Sequence, residues 1–297
     1  SWGERGRKGR DLGFLGFFLV GAGEEIIGPP AGLLHVTQPT LSRQLIQLEE
    51  ELGVKLFHRN KYRITLTEEG LLLKQRAQEI VALSDKAKQE LTKSEGTLSG
   101  EIAIGCAEAR SFSVLAEQIV AFRKLYPRVR FRIYSATADD VKDRMENGLL
   151  DMGLLMEPVD IGRYAFIRMP VRERYGVLVR RDSPLAEKES VRPEDLVGMP
   201  LLFGSREGVR EEIAGWFGEQ FDRMEVAVRY NLIRNGADLV EHGAGVALTI
   251  DQANIGENLR FIPLSPVLEL GSVLAWKNLR TFPPAVRGFI DHLKHTI

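Results

Sequence analysis

Apolar residues recur at different spacings along the chain, and the changes divide it into three regions. Residues 11–66 hold short helical patterns and one strand pair. Residues 67–94 read as one long helix. In it Leu73, Ala77, Ile80, Ser84, Ala87 and Leu91 fall at alternating steps of four and three residues, a heptad seam over about three heptads. Thr67 suits the N-cap, Glu68 and Glu69 the positive first turn, and Gly96 a C-terminal cap, with Gly70 tolerated early. The opposite face carries Lys74, Gln75, Gln78, Lys86, Lys88 and Glu90. Such a helix either packs on its own domain or pairs with a second copy, and the length of the seam favours the pairing. From Ser99 onward strands alternate with helices. Strands at 101–105, 129–134 and 150–156 flank helices at 111–126, stopped by Pro127, and 139–147, closed by Gly148. This βαβαβ order predicts a parallel sheet with right-handed crossovers. A second series places strands at 175–179, 201–203, 226–230 and 246–249, with helices near 206–217 and 232–242. A last strand near 272–276 and a helix near 285–295 complete the pattern. Two α/β lobes with a cleft between them are expected, and the carboxyl ends of the strands make that cleft the default pocket.

Composition narrows the class. A length of 297 residues suits two or three domains. Hydrophobic residues at 44% and charged residues at 27% are a globular balance, which excludes a disordered chain and a collagen-like repeat. Forty basic against 41 acidic residues give a formal net charge of -1, so a uniformly basic coat protein is excluded while a local basic patch is not. The single cysteine, Cys106, excludes an internal disulfide framework and a cysteine-based zinc finger, and fits a reducing cytosol. Arg5, Arg7, Lys8 and Arg10 precede an apolar run over 12–20, followed by Gly21, Ala22 and Gly23. That order suits a secretory signal, but the buried first helix of a small domain is the favoured reading. The run is too short to span a bilayer, and no later segment reaches about 18 consecutive apolar residues, so no membrane partner is expected.

The most informative stretch is 33–45. Leu33 and Leu34 end one helix. Thr37 suits the N-cap of a second, with Pro39 in its first turn, where a missing N–H is harmless. Leu41, Leu45 and Leu48 share one face, leaving Gln38, Thr40, Ser42, Arg43, Gln44 and Gln47 largely off it. A face of that kind is either an ordinary surface or one that enters a major groove, where Gln and Arg read base edges and Ser and Thr bind phosphate. Glu49, Glu50 and Glu51 come after it and are expected away from DNA. In 53–66, Leu56 and Phe57 look like core, Asn60-Lys61 suits a hairpin turn, and Ile64 and Leu66 alternate on the returning strand. Lys55, Arg59, Lys61 and Arg63 crowd this segment with no acid among them. Beside a helical pair, a basic hairpin becomes a wing lying along phosphates.

Residues 33–95 closely resemble the winged helix-turn-helix and linker helix of LysR-type transcriptional regulators. The match is carried by residues 35–44, Leu48-Glu49, Leu52-Gly53, Leu56-Phe57, Arg59 and 66–70. The remainder resembles that family's effector-binding region, which has the two-lobed fold of periplasmic binding proteins. There 100–105, 122–127, Leu150-Asp151-Met152-Gly153 and 243–247 stand where the family has similar residues. The resemblance implies an α/β multidomain chain: a winged helix-turn-helix DNA-binding domain at 11–66, a dimerisation helix at 67–95, and an effector-binding domain at 96–297. Lobe I would take about 96–170 and 272–297, and lobe II about 171–271. One departure stands out. Where the family has two well-formed helices, this chain has Gly13, Gly16, Gly21, Gly23, Gly28, Pro29, Pro30 and Gly32. An interior Gly costs about 1 kcal/mol against Ala, and Pro about 3 kcal/mol. Either these positions are altered relative to a normal gene, or the domain is loosened and binds DNA weakly.

By the same resemblance the effector lies between the lobes, against Ala107, Glu108, Ser111, Ser135, Thr137, Ser205, Arg206, Asn231 and Thr249. Hydroxyls and backbone N–H groups at helix starts suit an anion, and Arg206 would clamp a carboxylate. Glu108 opposes an anion unless it pairs with Arg110 or receives an amino group. Plain helix capping is the competing role, above all for Ser111 and Ser205. Cys106 is read as a buried structural thiol rather than a redox sensor. The chain has no Gly-x-Ser-x-Gly, P-loop or His-Glu-x-x-His, so neither an enzyme nor a cofactor is indicated. His292 and His295 stand three apart on the last helix, placed as surface residues before metal ligands. The reading is a cytoplasmic transcription regulator controlled by a small-molecule effector, a homodimer assembling to a tetramer. The DNA-facing residues are Thr37, Gln38, Pro39, Thr40, Ser42, Arg43 and Gln44, with Arg59 and Lys61 on the flanking backbone. The alternative is an exported solute-binding protein using the two lobes alone, cleaved near Ala22.

Overall fold

The computed structural model describes residues 15, 18, 38–59, 64–91, 98–204, 207–252, 256–278 and 281–297. The chain forms two compact units, Ser1–Thr92 and Lys93–Ile297.

In the first unit, helix α1 (Gln38–Leu52) leads into strands β1 (Phe57–Arg59) and β2 (Ile64–Leu66), then helix α2 (Glu68–Leu91). Leu48, Leu56, Phe57, Ala77 and Phe18 are buried together, with Leu15, Leu45, Leu66 and Leu73 packed against them. Phe18 lies 5.6 Å from Phe57, ring to ring. Phe18 and Leu15 belong to the apolar run that might have been an export signal, and here they are helical residues of a domain core. The Gly and Pro positions of 13–32 lie outside the described residues. β1 and β2 pair antiparallel with Arg59 opposite Ile64. Asn60-Lys61, the expected hairpin turn, lies outside the described residues.

Thr67 caps α2. Its hydroxyl accepts the Gly70 N–H at 2.9 Å and donates to the Lys55 carbonyl at 2.7 Å. Gly70 is required rather than merely tolerated, because a Cβ there would stand 2.2 Å from the Leu56 carbonyl oxygen. Leu73 and Ala77, the first two seam positions, are taken up by the helix's own unit. Further along, Ile80 and Leu83 are each 44% exposed.

The second unit holds two sheets. In chain order its elements are β3 (Gly100–Cys106), α3 (Ser111–Leu125), β4 (Val129–Ser135), α4 (Ala138–Glu146), β5 (Met152–Met156), β6 (Tyr164–Arg168) and β7 (Glu173–Arg180). These are followed by α5 (Pro193–Leu196), β8 (Pro200–Gly204), α6 (Glu207–Phe217), β9 (Glu225–Tyr230), α7 (Ile233–Glu241) and β10 (Val246–Ile250). The last are β11 (Leu259–Pro263), β12 (Glu269–Leu270), β13 (Ser272–Lys277) and α8 (Pro284–Thr296). One sheet has the order β4-β3-β5-β13-β6, the other β11-β7-β10-β8-β9, with β12 beside β7. The expected parallel cores are present as β4-β3-β5 and β10-β8-β9. Strands β13, β6, β7 and β11 add antiparallel neighbours, so both sheets are mixed. Sequence reading assigned no strand at 164–168 or 259–263.

Both faces of each sheet are covered. On the first, Leu115, Phe122 and Phe289 of α3 and α8 pack on one side, and Val141 and Met145 of α4 on the other. On the second, Ile213 and Phe217 of α6 take one side, and Ala237 and Val240 of α7 the other. Central strands β5 and β10 are therefore buried at every position, the near-continuous apolar run of a doubly covered sheet. α4 lies so close that a Cβ on Gly105 would sit 2.6 Å from Val141, and one on Gly153 would sit 2.7 Å from Met145. Asp151 accepts the Ala103 N–H at 2.8 Å, which ties β3 to the turn leading into β5.

Candidate functional site

Two surfaces concern function, one in each unit. In the first, α1 turns Leu45 and Leu48 inward and leaves Arg43 and Gln47 exposed. The 3.6-residue period thus separates a packed stripe from an outer polar face. Of Gln38, Pro39, Thr40, Ser42, Gln44 and Arg59 the structure describes the backbone, with the first five on α1 and Arg59 on β1. Thr37 and Lys61 lie outside the described residues. The face carries no acid through Leu48, and Gln47 donates to Glu51 at 3.1 Å.

Glu49, expected away from DNA, is buried. It is 4% exposed and accepts the N–H groups of Leu56 at 2.8 Å and Phe57 at 3.2 Å, with Lys55 Nζ at 3.3 Å. Burial pushes its carboxyl up, but the two backbone donors and Lys55 outweigh that and hold it below its ordinary value. One carboxylate therefore fastens α1 to the base of the wing. The signal was available: Glu49 lies four residues after Leu45, on the inward stripe.

In the second unit a cavity of about 830 Å³, counting the part open to solvent, lies where strand ends from both sheets meet. The first sheet contributes Ala107 and Glu108 after β3, Ala136 and Thr137 after β4, and Met156 at the end of β5. The second contributes Phe203 and Gly204 from β8, Tyr230 and Asn231 from β9, and Thr249 and Ile250 from β10. Tyr175 joins them because β7 runs antiparallel to β10, setting Tyr175 opposite Ile250. Val209, Arg210 and Ile213 of α6, Leu232 and Ile233 at the start of α7, and Gln252 complete the wall.

The structure thus brings together Ala107, Glu108, Thr137, Asn231 and Thr249 from the expected set. Ser205 and Arg206 lie outside the described residues. Ser111 and Ser135 do not line the cavity. Ser111 is fully buried as the first residue of α3, and its hydroxyl has no hydrogen-bond partner. It does not cap the helix either. The buried carboxylate of Glu173, on β7, accepts the N–H groups of Arg110 at 3.2 Å and Ser111 at 2.8 Å. A carboxylate at a helix N-terminus satisfies orphan donors and favours the dipole. No local signal could have found it, since the cap comes from a strand of the other sheet.

Ser135 stands beside Cys106 in the β3–β4 ladder and hydrogen-bonds its thiol. Burial pushes that thiol up, the Ser135 bond works against it, and the Glu108 charge adds to the rise. Cys106 is thus buried and held as the neutral thiol. Thr137 is an N-cap: its hydroxyl accepts from the Asp140 N–H and donates to the Asp140 carboxylate at 2.8 Å. Burial drives the Tyr230 hydroxyl far above its ordinary range, against a bond with Thr249, and it donates to the Leu248 carbonyl at 2.7 Å. Sequence reading missed Tyr175, Phe203, Arg210 and Tyr230. The aromatics alternate like core residues, and Arg210 sits among charges that look like a solvated helix face.

His292 packs against Phe122 and Phe289 and lies 3.0 Å from Gln118 Oε1, while His295 Nδ1 lies 2.6 Å from the Asp291 carbonyl. Among the described residues no three His, Cys, Asp or Glu side chains are grouped to hold a metal. Nor is any described helix long and apolar enough to cross a membrane.

Comparison with known proteins agrees with this division. The family model described as "LysR substrate binding domain" matches residues 95–297, and "Bacterial regulatory helix-turn-helix protein, lysR family" matches residues 28–71. The "HTH-type transcriptional activator IlvY" of Salmonella typhimurium is 30% identical over 208 residues, covering 70% of this chain and 70% of that one. Full-length CbnR, in a crystal structure with its target DNA, aligns over 96% of this chain and 99% of its own, with a TM-score of 0.71 and 19% identity. The effector-binding domain of QuiR, solved with shikimate, aligns over 67% of this chain and 97% of its own, with a TM-score of 0.60 and 17% identity. A matched helix-turn-helix ahead of the lobes leaves the exported solute-binding alternative without support. A DNA-binding head and a two-lobed effector-binding domain on one chain are the two halves of a regulator, and this chain belongs to the LysR family of transcriptional regulators.

Proposed function

We propose that this DNA-binding regulator acts in the cytoplasm on a dyad-symmetric DNA site, as a homodimer that assembles to a tetramer through its effector domains. Thr37, Gln38, Pro39, Thr40, Ser42, Arg43 and Gln44 face the major groove in this reading, with Arg59 and Lys61 on the flanking phosphates. The observation that carries it is the outer face of α1, where Arg43 is exposed on a helix whose Leu48 and Glu49 are locked into the wing. Residues 67–94 join two copies, consistent with the exposure of Ile80 and Leu83 beyond the part of α2 that packs on its own unit. A small molecule held by Ala107, Glu108, Thr137, Asn231 and Thr249 shifts an existing equilibrium between lobe arrangements, and so the spacing of the DNA-binding heads.

The test is fluorescence anisotropy of the full chain against random duplexes over a salt series, with selection of the retained sequences. Enrichment of a dyad-symmetric site, with affinity falling steeply as salt rises, supports the proposal. Absence of binding at low salt, or retention of sequences with no symmetry, overturns it.

A further inference from the structure

The charges around the cleft are divided between its walls. On the first-sheet side Glu108 lines the cavity, and Arg110 does not neutralise it. The Arg110 guanidinium lies 3.5 Å from the Asp251 carboxylate instead. Gln252 reaches the same loop but donates to the Glu108 backbone carbonyl, not to its side chain. Among the described residues no cation pairs with the Glu108 carboxylate. The neighbouring start of α4 adds Asp139 and Asp140 in its first turn, and Thr137 already fills its cap. This wall repels an anion.

The facing wall is different. Arg210 of α6 lines the cavity, and its guanidinium lies 5.8 Å from the Phe221 ring centre. Among the described residues it has no carboxylate partner. α7 opens onto the same wall at Asn231 and Leu232, with no side-chain cap and no acid in its first turn. Between the two walls the lining is apolar, from Met156, Tyr175, Phe203, Ile213, Leu248 and Ile250.

We propose that the cleft takes a zwitterion: an amino acid with an apolar side chain, its ammonium at Glu108, its carboxylate at Arg210 and the start of α7, and its side chain on the apolar lining. A carboxylate alone would satisfy one wall and leave Glu108 facing an apolar body. This rests on the cleft being the effector site, and it fixes the ligand's chemistry and why it would bridge the walls.

Six probes of matched shape test it by isothermal titration against the full chain. They are L-phenylalanine, 3-phenylpropionate and phenethylamine, and L-leucine, 4-methylpentanoate and isopentylamine. At least one amino acid is expected to bind, with both of its single-charge partners weaker by about tenfold or more, since each lacks one charge-assisted contact. Glu108 and Arg210 are both exposed, so their substitution leaves the fold intact. Glu108→Gln should remove the preference for the amino acid over its des-amino partner. Arg210→Gln should remove the preference over the amine. A preference for the des-amino acids in the unsubstituted protein, equal binding of all three charge forms, or no response to any probe overturns the zwitterion. DNA selection is scored separately, so a protein that binds a dyad site yet prefers 3-phenylpropionate keeps the regulator reading and loses only the ligand class.

Discussion

Removing the Glu49 carboxylate should loosen the link between α1 and the wing. Glu49→Ala leaves the Leu56 and Phe57 N–H groups buried without an acceptor. Each orphaned donor costs about 1–3 kcal/mol. The Lys55 contact adds little, because that side chain is 78% exposed. Alanine's better helix propensity returns only a few tenths of a kcal/mol. The net loss is then about 3 kcal/mol, or roughly a hundredfold more frequent opening. Hydrogen exchange of the full chain reads this at the Leu56 and Phe57 amides, which should lose protection while β5 and β10 keep theirs. Glu49→Gln retains an acceptor oxygen and loses only the charge, so about 1–2 kcal/mol is expected. Acid provides the check on sign. The folded carboxyl is held below its ordinary value of 4.5, so the ionised form is the stabilising one. Its contribution is complete above that value and is lost as pH falls through the folded one. The unsubstituted protein and Glu49→Gln should therefore converge in acid. Unchanged protection in Glu49→Ala, or a gap from Glu49→Gln that persists undiminished in acid, refutes the reasoning.

Four further outcomes follow from other contacts. Gly70→Ala should lower the melting temperature of the first unit despite alanine's helix advantage of about 1 kcal/mol, because its Cβ would lie 2.2 Å from the Leu56 carbonyl oxygen; a rise in that temperature contradicts the geometry. Glu173→Ala should destabilise the second unit by about 2–4 kcal/mol in urea unfolding by orphaning two buried donors, and Glu173→Gln by less; equal effects would mean the carboxylate is not the cap. Arg43→Ala should cost about 1–3 kcal/mol of DNA affinity and relax selectivity at one base pair, and the anisotropy selection shows whether it does. Replacing Ile80 and Leu83 together by Glu should shift sedimentation toward the monomer, whereas an unchanged oligomer rules out that stretch as the joint.

What was legible in sequence was what depends on near neighbours. The spacing of Leu45 and Leu48, the cap at Thr67 and the buried runs of β5 and β10 each follow from a few consecutive residues and a single period. Gly70 and Ser111 were misjudged for a common reason. Each is decided by a group that the fold brings in from elsewhere: the Leu56 carbonyl against Gly70, and the Glu173 carboxylate that takes the amides at the start of α3.

The cleft was legible as a place but not as a chemistry. Strand ends predicted where it lies, and of the residues chosen from those ends Ala107, Glu108, Thr137, Asn231 and Thr249 line it. Its charge pattern needed partners. The choice left open for Glu108, between pairing with Arg110 and receiving an amino group, narrowed only once Arg110 was found beside Asp251. The same contacts bear on how a ligand could act. The loop between β3 and α3 is held from the second sheet at three points: Asp251 at Arg110, Gln252 at the Glu108 carbonyl, and Glu173 at the start of α3. A loop fastened so closely is a poor moving part and a good pivot. Under the proposed mechanism, relative motion of the lobes would open or close the walls away from it, where Thr137 and the start of α7 contribute to the lining. A ligand shifts such an equilibrium only through contacts that differ between the two arrangements. In the proposed binding mode, Glu108, on the pivot, would anchor the ligand in either arrangement, and the contacts made by the far wall would supply the difference.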